Sequence, residues 1–178
     1  MDLPKVDVKK ILYATDLSEN ARYAFAYAVS LADLYNAAIT FIHVLPEVRS
    51  RLDKSVIGYI SEERWEAIKS QNVEEAREAI IGKRRDHLAI RDALHQFSED
   101  AKEGREGEGF VTDDIIVVQG NPVAEILKYS EEKNCDLIVM GTHGQGTLAD
   151  AMMGSTARRV LRRSPKPVLV VRLPGEDD

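Results

Sequence analysis

Short apolar runs alternate with amphipathic segments along the chain, and their order predicts an α/β fold. The first run, KILYA at residues 10–14, is followed by polar residues that break a strand. Apolar side chains then recur at intervals of three and four over residues 21–35, which predicts a helix with an N-cap at Ser18 and an end near Asn36. The next run, AITFIHV at residues 38–44, is short and β-branched, as expected for a strand buried on both faces.

The last third of the chain repeats this alternation. Three further strands are predicted at residues 114–118, 136–140 and 167–172, and Gly-Asn-Pro at residues 120–122 provides a turn and a helix start. A final helix is predicted over residues 154–163. The alternation of strands and helices therefore predicts an open five-stranded parallel sheet with helices on both faces and right-handed crossovers.

The middle of the chain, residues 46–110, is highly charged and carries little strand signal. The spacing of its apolar residues predicts two amphipathic helices. The first contains Trp65, Ile68, Ala76 and Ile80, and the second contains Ile90, Leu94, Phe97 and Ala101. The pattern leaves open whether residues 82–85 separate two helices or one long helix runs through. We predict a helical insert at 46–110 within a single domain of residues 1–178.

Chain length, charge and cysteine content exclude several classes of protein. With 178 residues and 44% hydrophobic content, the chain is sized for one ordinary domain. The chain has a net charge of -6, so it lacks the broad positive potential that binds nucleic acid or an anionic membrane. No apolar stretch approaches the roughly 20 residues of a membrane helix. We therefore expect a cytoplasmic protein that binds neither nucleic acid nor membrane. The single cysteine, Cys135, excludes an internal disulfide and is predicted to be a core residue.

A glycine-rich loop, GTHGQGTLADAMMGST, follows the fourth strand and carries the candidate chemistry. Ligands of open parallel sheets sit outside the carboxyl ends of the strands. If strands one and four are neighbours where the strand order reverses, Asp16 after strand one faces this loop. Glycines bring backbone N–H groups close to a ligand. Ser155 and Thr156 also place hydroxyls at a helix start, so the pattern favours a phosphate as the ligand. By pattern alone, a simple turn remains an equal alternative.

The spacing of the loop excludes two common phosphate motifs, because neither GxxxxGK[ST] nor GxGxxG occurs in the expected context. The spacing G-x2-G-x9-G-[ST], from Gly141 through Gly144 to Gly154, instead resembles the universal stress protein family. ILYATDLSENA, FIHVLPE, GNPVAEIL, CDLIVMGTHG and PVLVV agree with it as well, so that the resemblance covers residues 8–45 and 111–172. It implies a Rossmann-like fold of the adenine nucleotide alpha hydrolase-like group. It also implies a homodimer joined through the last strand, Val168 to Arg172, and a branch of the family that binds ATP.

The resemblance also implies a nucleotide site. Its residues follow the first, second and fourth strands and open the last helix: Thr15, Asp16, Val44, Met140, Gly141, His143, Gly144, Gly154, Ser155 and Thr156. Asp16 would bind the ribose or phosphate region, backbone near Val44 would contact adenine, and Met140 and Gly141 would line the base and ribose. The later glycines and hydroxyls would hold the phosphates, with Mg2+ or another divalent ion bridging them.

Simpler roles stay open for several of these residues. Asp16 would serve equally as a cap of the first helix, and Ser155 and Thr156 as N-caps of the last. His143 either approaches phosphate or acts as an acid or base, or else is a solvated loop residue. His43, His87 and His95 have no metal-ligand spacing. No catalytic residue and no protein metal ligand is assigned.

The leading hypothesis is an ATP-binding regulatory or stress-response module with slow hydrolysis at most. One alternative is an adenine-nucleotide-processing enzyme of the same fold group, although the SGGxDS loop and the H-I-G-H segment of such enzymes are missing. Another alternative is a dimeric module without nucleotide, whose insert binds a protein partner.

Overall fold

The structure is a computed structural model that describes residues 3, 5–45, 63–64, 67, 82–103, 110–143 and 153–173. Its strands are β1 (Lys10–Thr15), β2 (Ala38–Leu45), β3 (Val111–Gln119), β4 (Leu137–Gly141) and β5 (Val168–Val171). Its helices are α1 (Glu19–Tyr35), α2 (Gly82–Glu103), α3 (Pro122–Glu132) and α4 (Ser155–Arg163). All five predicted strands are present, with ends shifted by three residues or fewer.

The strands form one parallel sheet in the order β3-β2-β1-β4-β5. The predicted neighbour relation of strands one and four is confirmed, since Ala14 on β1 is in register with Met140 on β4. The strand order reverses between these two strands, so the connections that follow them diverge to opposite faces. A crevice therefore opens at the carboxyl edge of the sheet between β1 and β4.

Each face of the sheet has its own hydrophobic core. On the α1 and α2 face, five aromatic rings pack together, namely Tyr13, Phe25, Phe41, Phe97 and Phe110. On the opposite face, Leu12, Ile42 and Ile138 pack with α3 and α4 through Ile126 and Val160. Helices on both faces confirm the predicted fold class and explain why the central strands are mostly apolar.

Helix α2 is the described carboxyl-terminal part of the predicted insert, and it packs on the sheet. Ile90 and Leu94 are buried in the aromatic core, with Phe97 and Ala101 packed against it. These are the spacings predicted for the second helix. The first predicted helix, with Trp65, Ile68, Ala76 and Ile80, lies outside the described residues.

Both ends of α1 and the start of α3 follow the predicted local chemistry. The Ser18 hydroxyl accepts a hydrogen bond from the Ala21 N–H at 3.1 Å, and α1 ends at Asn36 in the left-handed conformation, with φ 53°. Asn121 accepts hydrogen bonds at the start of α3, where Pro122 takes the first helical position. None of the described helices combines the length and the apolar composition required to cross a membrane.

The Cys135 thiol is fully buried, which confirms its predicted place in the core. Burial raises the pKa of this thiol to about 11, so the reactive thiolate is scarce at neutral pH. We expect the native protein to resist labelling by Ellman's reagent at pH 8, whereas the protein in guanidinium reacts at once with one thiol per chain. Rapid labelling of the native protein would show that Cys135 is accessible.

Candidate functional site

A cavity of about 510 Å³ opens at the carboxyl edge of the sheet, between β1 and β4. It gathers the sequence-predicted site residues that the structure describes: Thr15, Asp16, Val44, Met140, Gly141, His143, Gly154, Ser155 and Thr156. Gly144 lies outside the described residues. Residues separated by more than 120 positions in the chain thus line one cavity, because parallel strands bring their carboxyl ends to the same edge.

One end of the cavity is apolar. Its walls include side chains of β2 and α3, together with one methionine before the glycine loop and one within it: Ile42, Val44, Pro122, Ile126, Met140 and Met153. Val44 reaches this face because alternate residues of a strand point to opposite sides, and Ile42 precedes it by two. An apolar slot of this kind accommodates a flat heteroaromatic ring.

The other end of the cavity is the amino terminus of α4. Gly154 is the N-cap residue, and its N–H donates to the Thr142 carbonyl at 2.7 Å. The alternative in which Ser155 and Thr156 are N-caps is wrong, because both lie within the helix and no side chain caps it. No hydrogen bond of either hydroxyl occurs within the described part of the chain. Helix amino termini favour anions, because the N–H groups of the first turn have no partner within the helix.

Asp16 faces the cavity from the loop after β1. One of its carboxylate oxygens accepts hydrogen bonds from the Ser18 N–H at 3.1 Å and from the Ser18 hydroxyl at 2.6 Å. The alternative in which Asp16 caps α1 is wrong, since Ser18 is the cap. Asp16 instead orients the hydroxyl that makes this cap, and its carboxylate is held at the cavity wall.

Leu17, between Asp16 and Ser18, adopts a left-handed conformation with φ 66°. A bulky residue in this region costs about 1–3 kcal/mol and persists only where the surrounding contacts impose it. Here the Leu17 side chain is buried in the core, and its N–H donates to the Thr15 hydroxyl at 3.0 Å. The turn that directs Asp16 towards the cavity is therefore fixed by packing, a feature that the sequence pattern did not predict.

Asn20 is a site residue that the sequence analysis missed. Its side chain is buried on α1, and its Oδ1 accepts hydrogen bonds from the His143 N–H at 2.8 Å and the Thr142 hydroxyl at 3.3 Å. Its Nδ2 donates to the Val171 carbonyl on β5 at 3.4 Å. One signal was present in the sequence, because Asn20 lies four residues before Ala24 on the otherwise apolar stripe of α1.

His143 lines the cavity, and its Nδ1 lies 3.1 Å from the Thr142 hydroxyl. His143 is half-buried. No group of three or more His, Cys, Asp or Glu side chains that could hold a metal occurs among the described residues.

His43 lies beneath the site, on the α1 and α2 face of the sheet. Its Nδ1 is 2.9 Å from the Thr15 carbonyl, which only accepts, so Nδ1 carries the proton. Its Nε2 is buried and has no hydrogen-bond partner in the described part of the chain. Burial lowers the pKa of His43, since a charged imidazolium here would lose its hydration.

This burial predicts a pH dependence of stability. Below about pH 6.5 the unfolded chain takes up a proton at His43 that the folded protein does not, so stability falls as the pH drops, by up to about 1.4 kcal/mol per pH unit. Above that range His43 contributes no pH dependence. Urea unfolding of the parent and of His43→Gln between pH 5 and 8 measures the difference. A variant with the parent's slope would contradict the prediction, and the exposed His95→Gln serves as control.

Comparison with known proteins gives one consistent family. The model of the universal stress protein family matches residues 7–172. Universal stress protein MJ0577 of Methanocaldococcus jannaschii is 33% identical over 177 residues, which cover 92% of this chain and 94% of the relative. A solved structure of MJ0577 superposes with a TM-score of 0.63 at 32% identity, over 96% of this chain and all of that one.

A universal stress protein of Archaeoglobus fulgidus, solved in complex with dAMP, shares the fold at 20% identity. Its TM-score is 0.51, over 94% of this chain and 99% of that one. The family match covers nearly the whole length, and the solved structure of MJ0577 shares the fold. The chain belongs to the universal stress protein family.

Proposed function

We propose that the cavity binds ATP and that the protein is a nucleotide-dependent regulatory module of the stress response. The observation that supports this most directly is that one cavity of about 510 Å³ combines an apolar end with a helix amino terminus. The two parts of ATP match the two ends of the cavity, because adenine is flat and largely apolar whereas the triphosphate is anionic. The dAMP complex of the Archaeoglobus fulgidus protein supports an adenine nucleotide as the ligand of this cavity.

In this proposal each end of the cavity has a defined role. Adenine lies in the apolar slot, next to the backbone at Val44, and Met140 and Gly141 flank the base and ribose. Thr15 and Asp16 meet the ribose or the phosphates. The phosphates lie at the start of α4, where the remaining predicted residues surround them: His143, Gly144, Gly154, Ser155 and Thr156.

A divalent ion, Mg2+ in the first instance, would bridge the phosphates. Asp16 is the one carboxylate among the described residues that line the cavity. Phosphate oxygens and water would therefore supply most of the ligands of the ion, as is usual for Mg2+ bound with a nucleotide. No residue is assigned a catalytic role, and hydrolysis is expected to be slow at most.

Calorimetric titration of nucleotide-free protein with ATP and Mg2+ tests the proposal. The informative variant is Thr156→Val, which replaces a hydroxyl by a methyl group of the same shape. We expect saturable binding by the parent, about fivefold to tenfold weaker binding by Thr156→Val, and parent-like binding by Thr156→Ser. A parent that binds no ATP would overturn the proposal. Gly154→Val is less informative, because a Cβ at Gly154 would lie 2.8 Å from the Thr142 carbonyl and would displace the loop itself.

We also propose a cytoplasmic homodimer that pairs through β5, over Val168 to Arg172. The support is that β5 is an edge strand whose Val168, Leu169 and Val170 are only half-buried, since an apolar edge tends to recruit a partner strand. The single domain of residues 1–178, with its insert at 46–110, would then offer surface to a protein partner. Sedimentation velocity with and without ATP tests the dimer, and a monomer at all concentrations would contradict it.

A further inference from the structure

We propose that Asn20 is a positioning residue for the phosphate end of the cavity, an inference that rests on the proposed nucleotide function. Asn20 is 4% exposed and does not appear among the residues that line the cavity. It therefore acts through the loop after β4 rather than by touching a ligand. Its side chain is the point at which α1, β5 and this loop meet.

The hydrogen bonds form a chain from Asn20 to the amino terminus of α4. Asn20 Oδ1 accepts from the His143 N–H at 2.8 Å, which fixes the peptide that joins Thr142 to His143. The carbonyl of that same peptide accepts from the Gly154 N–H at 2.7 Å. The Thr142 N–H in turn donates to the Val171 carbonyl at 2.9 Å. The start of α4 is thus held by a peptide whose N–H is fixed by Asn20.

The β2 and α3 side of the apolar end lies apart from this chain of hydrogen bonds. Ile42 and Val44 belong to β2, which pairs with β1 and β3 and has no hydrogen bond to Asn20 among the described residues. Loss of the Asn20 side chain should therefore move the phosphate end more than the part of the base end that β2 and α3 form. A residue that merely stabilised the fold would affect both ends alike.

The test is the binding of two ligands, ATP with Mg2+ and adenosine, to the parent and to Asn20→Ala. We expect Asn20→Ala to bind ATP about tenfold more weakly, equivalent to one buried hydrogen bond, while its affinity for adenosine stays within about twofold of the parent. Ser98→Ala is the matched control, because Ser98 is buried on α2 and loses a 2.6 Å hydrogen bond to Thr112 far from the cavity. It should bind both ligands as the parent does.

Equal losses for ATP and adenosine in Asn20→Ala, or no loss for either, would overturn the inference. Hydrogen exchange of the His143 amide provides a readout that needs no nucleotide. Asn20→Ala should lose the protection of this amide, whereas Asn20→Asp retains an acceptor oxygen and should keep it. An amide equally protected in the alanine variant would also overturn the inference. A parent that binds neither ligand would instead refute the proposed function, and the exchange measurement would still decide the role of Asn20.

Discussion

Replacing Phe25 with alanine is expected to lower the free energy of unfolding by about 3–5 kcal/mol, the range for truncating a buried aromatic side chain. The Phe25 ring lies at the centre of the aromatic core. Its centroid is 5.0 Å from that of Tyr13, 5.2 Å from Phe41, 4.9 Å from Phe97 and 5.5 Å from Phe110. One truncation therefore removes contacts among α1, two central strands, α2 and the residue that precedes β3.

Urea unfolding followed by circular dichroism measures this loss. Leu34→Ala is the matched control, because Leu34 lies on the same helix and is 74% exposed, so its truncation should change stability by less than about 0.5 kcal/mol. Similar losses in the two variants would mean that the aromatic cluster does not hold α1 and α2 on the sheet. Phe25→Leu, which keeps most of the buried volume, should fall between the two.

The fold was predictable because its signals are local and repeat along the chain. The strands β1, β2 and β4 are short and largely apolar, as is typical of parallel strands covered on both faces. The adjacency of β1 and β4 was a hypothesis based on where ligands lie in open parallel sheets, and the strand order confirms it. The polar residues of the predicted site line one cavity for the same reason.

The parts of the site that were missed depend on distant contacts. Asn20 bonds to Thr142 and to Val171, which are 122 and 151 positions away, so its role exists only once the sheet has closed. The alternative that placed the N-cap of α4 at Ser155 or Thr156 rested on the local preference of Ser and Thr for N-cap positions. In the folded chain the Gly154 N–H is bound to the Thr142 carbonyl, so the helix starts one residue earlier than the hydroxyls suggest. The tertiary contact overrides the local preference.

Replacing Gly141 with alanine is expected to weaken ATP binding at least tenfold and to lower stability by about 1–3 kcal/mol, as overpacking of a filled core does. A Cβ at this position would lie 2.5 Å from Asn20 Oδ1 and 3.2 Å from the Asn20 backbone carbonyl carbon. The Asn20 side chain is buried and bonded to His143, so it has no free rotamer to adopt. We expect the new methyl group to displace Asn20, and with it the peptide that holds the start of α4.

A double-mutant cycle identifies the cause of this loss. In an Asn20→Ala background the two closest contacts of the added methyl group, with Asn20 Oδ1 and Cγ, are absent, so Gly141→Ala should cost far less there than in the parent. The two single variants would then be strongly non-additive, both in unfolding free energy and in ATP affinity. Additive effects would instead mean that Gly141 acts on the nucleotide directly, through the close approach of its backbone, and that the packing against Asn20 is incidental. Non-additivity in stability alone, with additive effects on affinity, would separate the two roles and assign Asn20 to the fold.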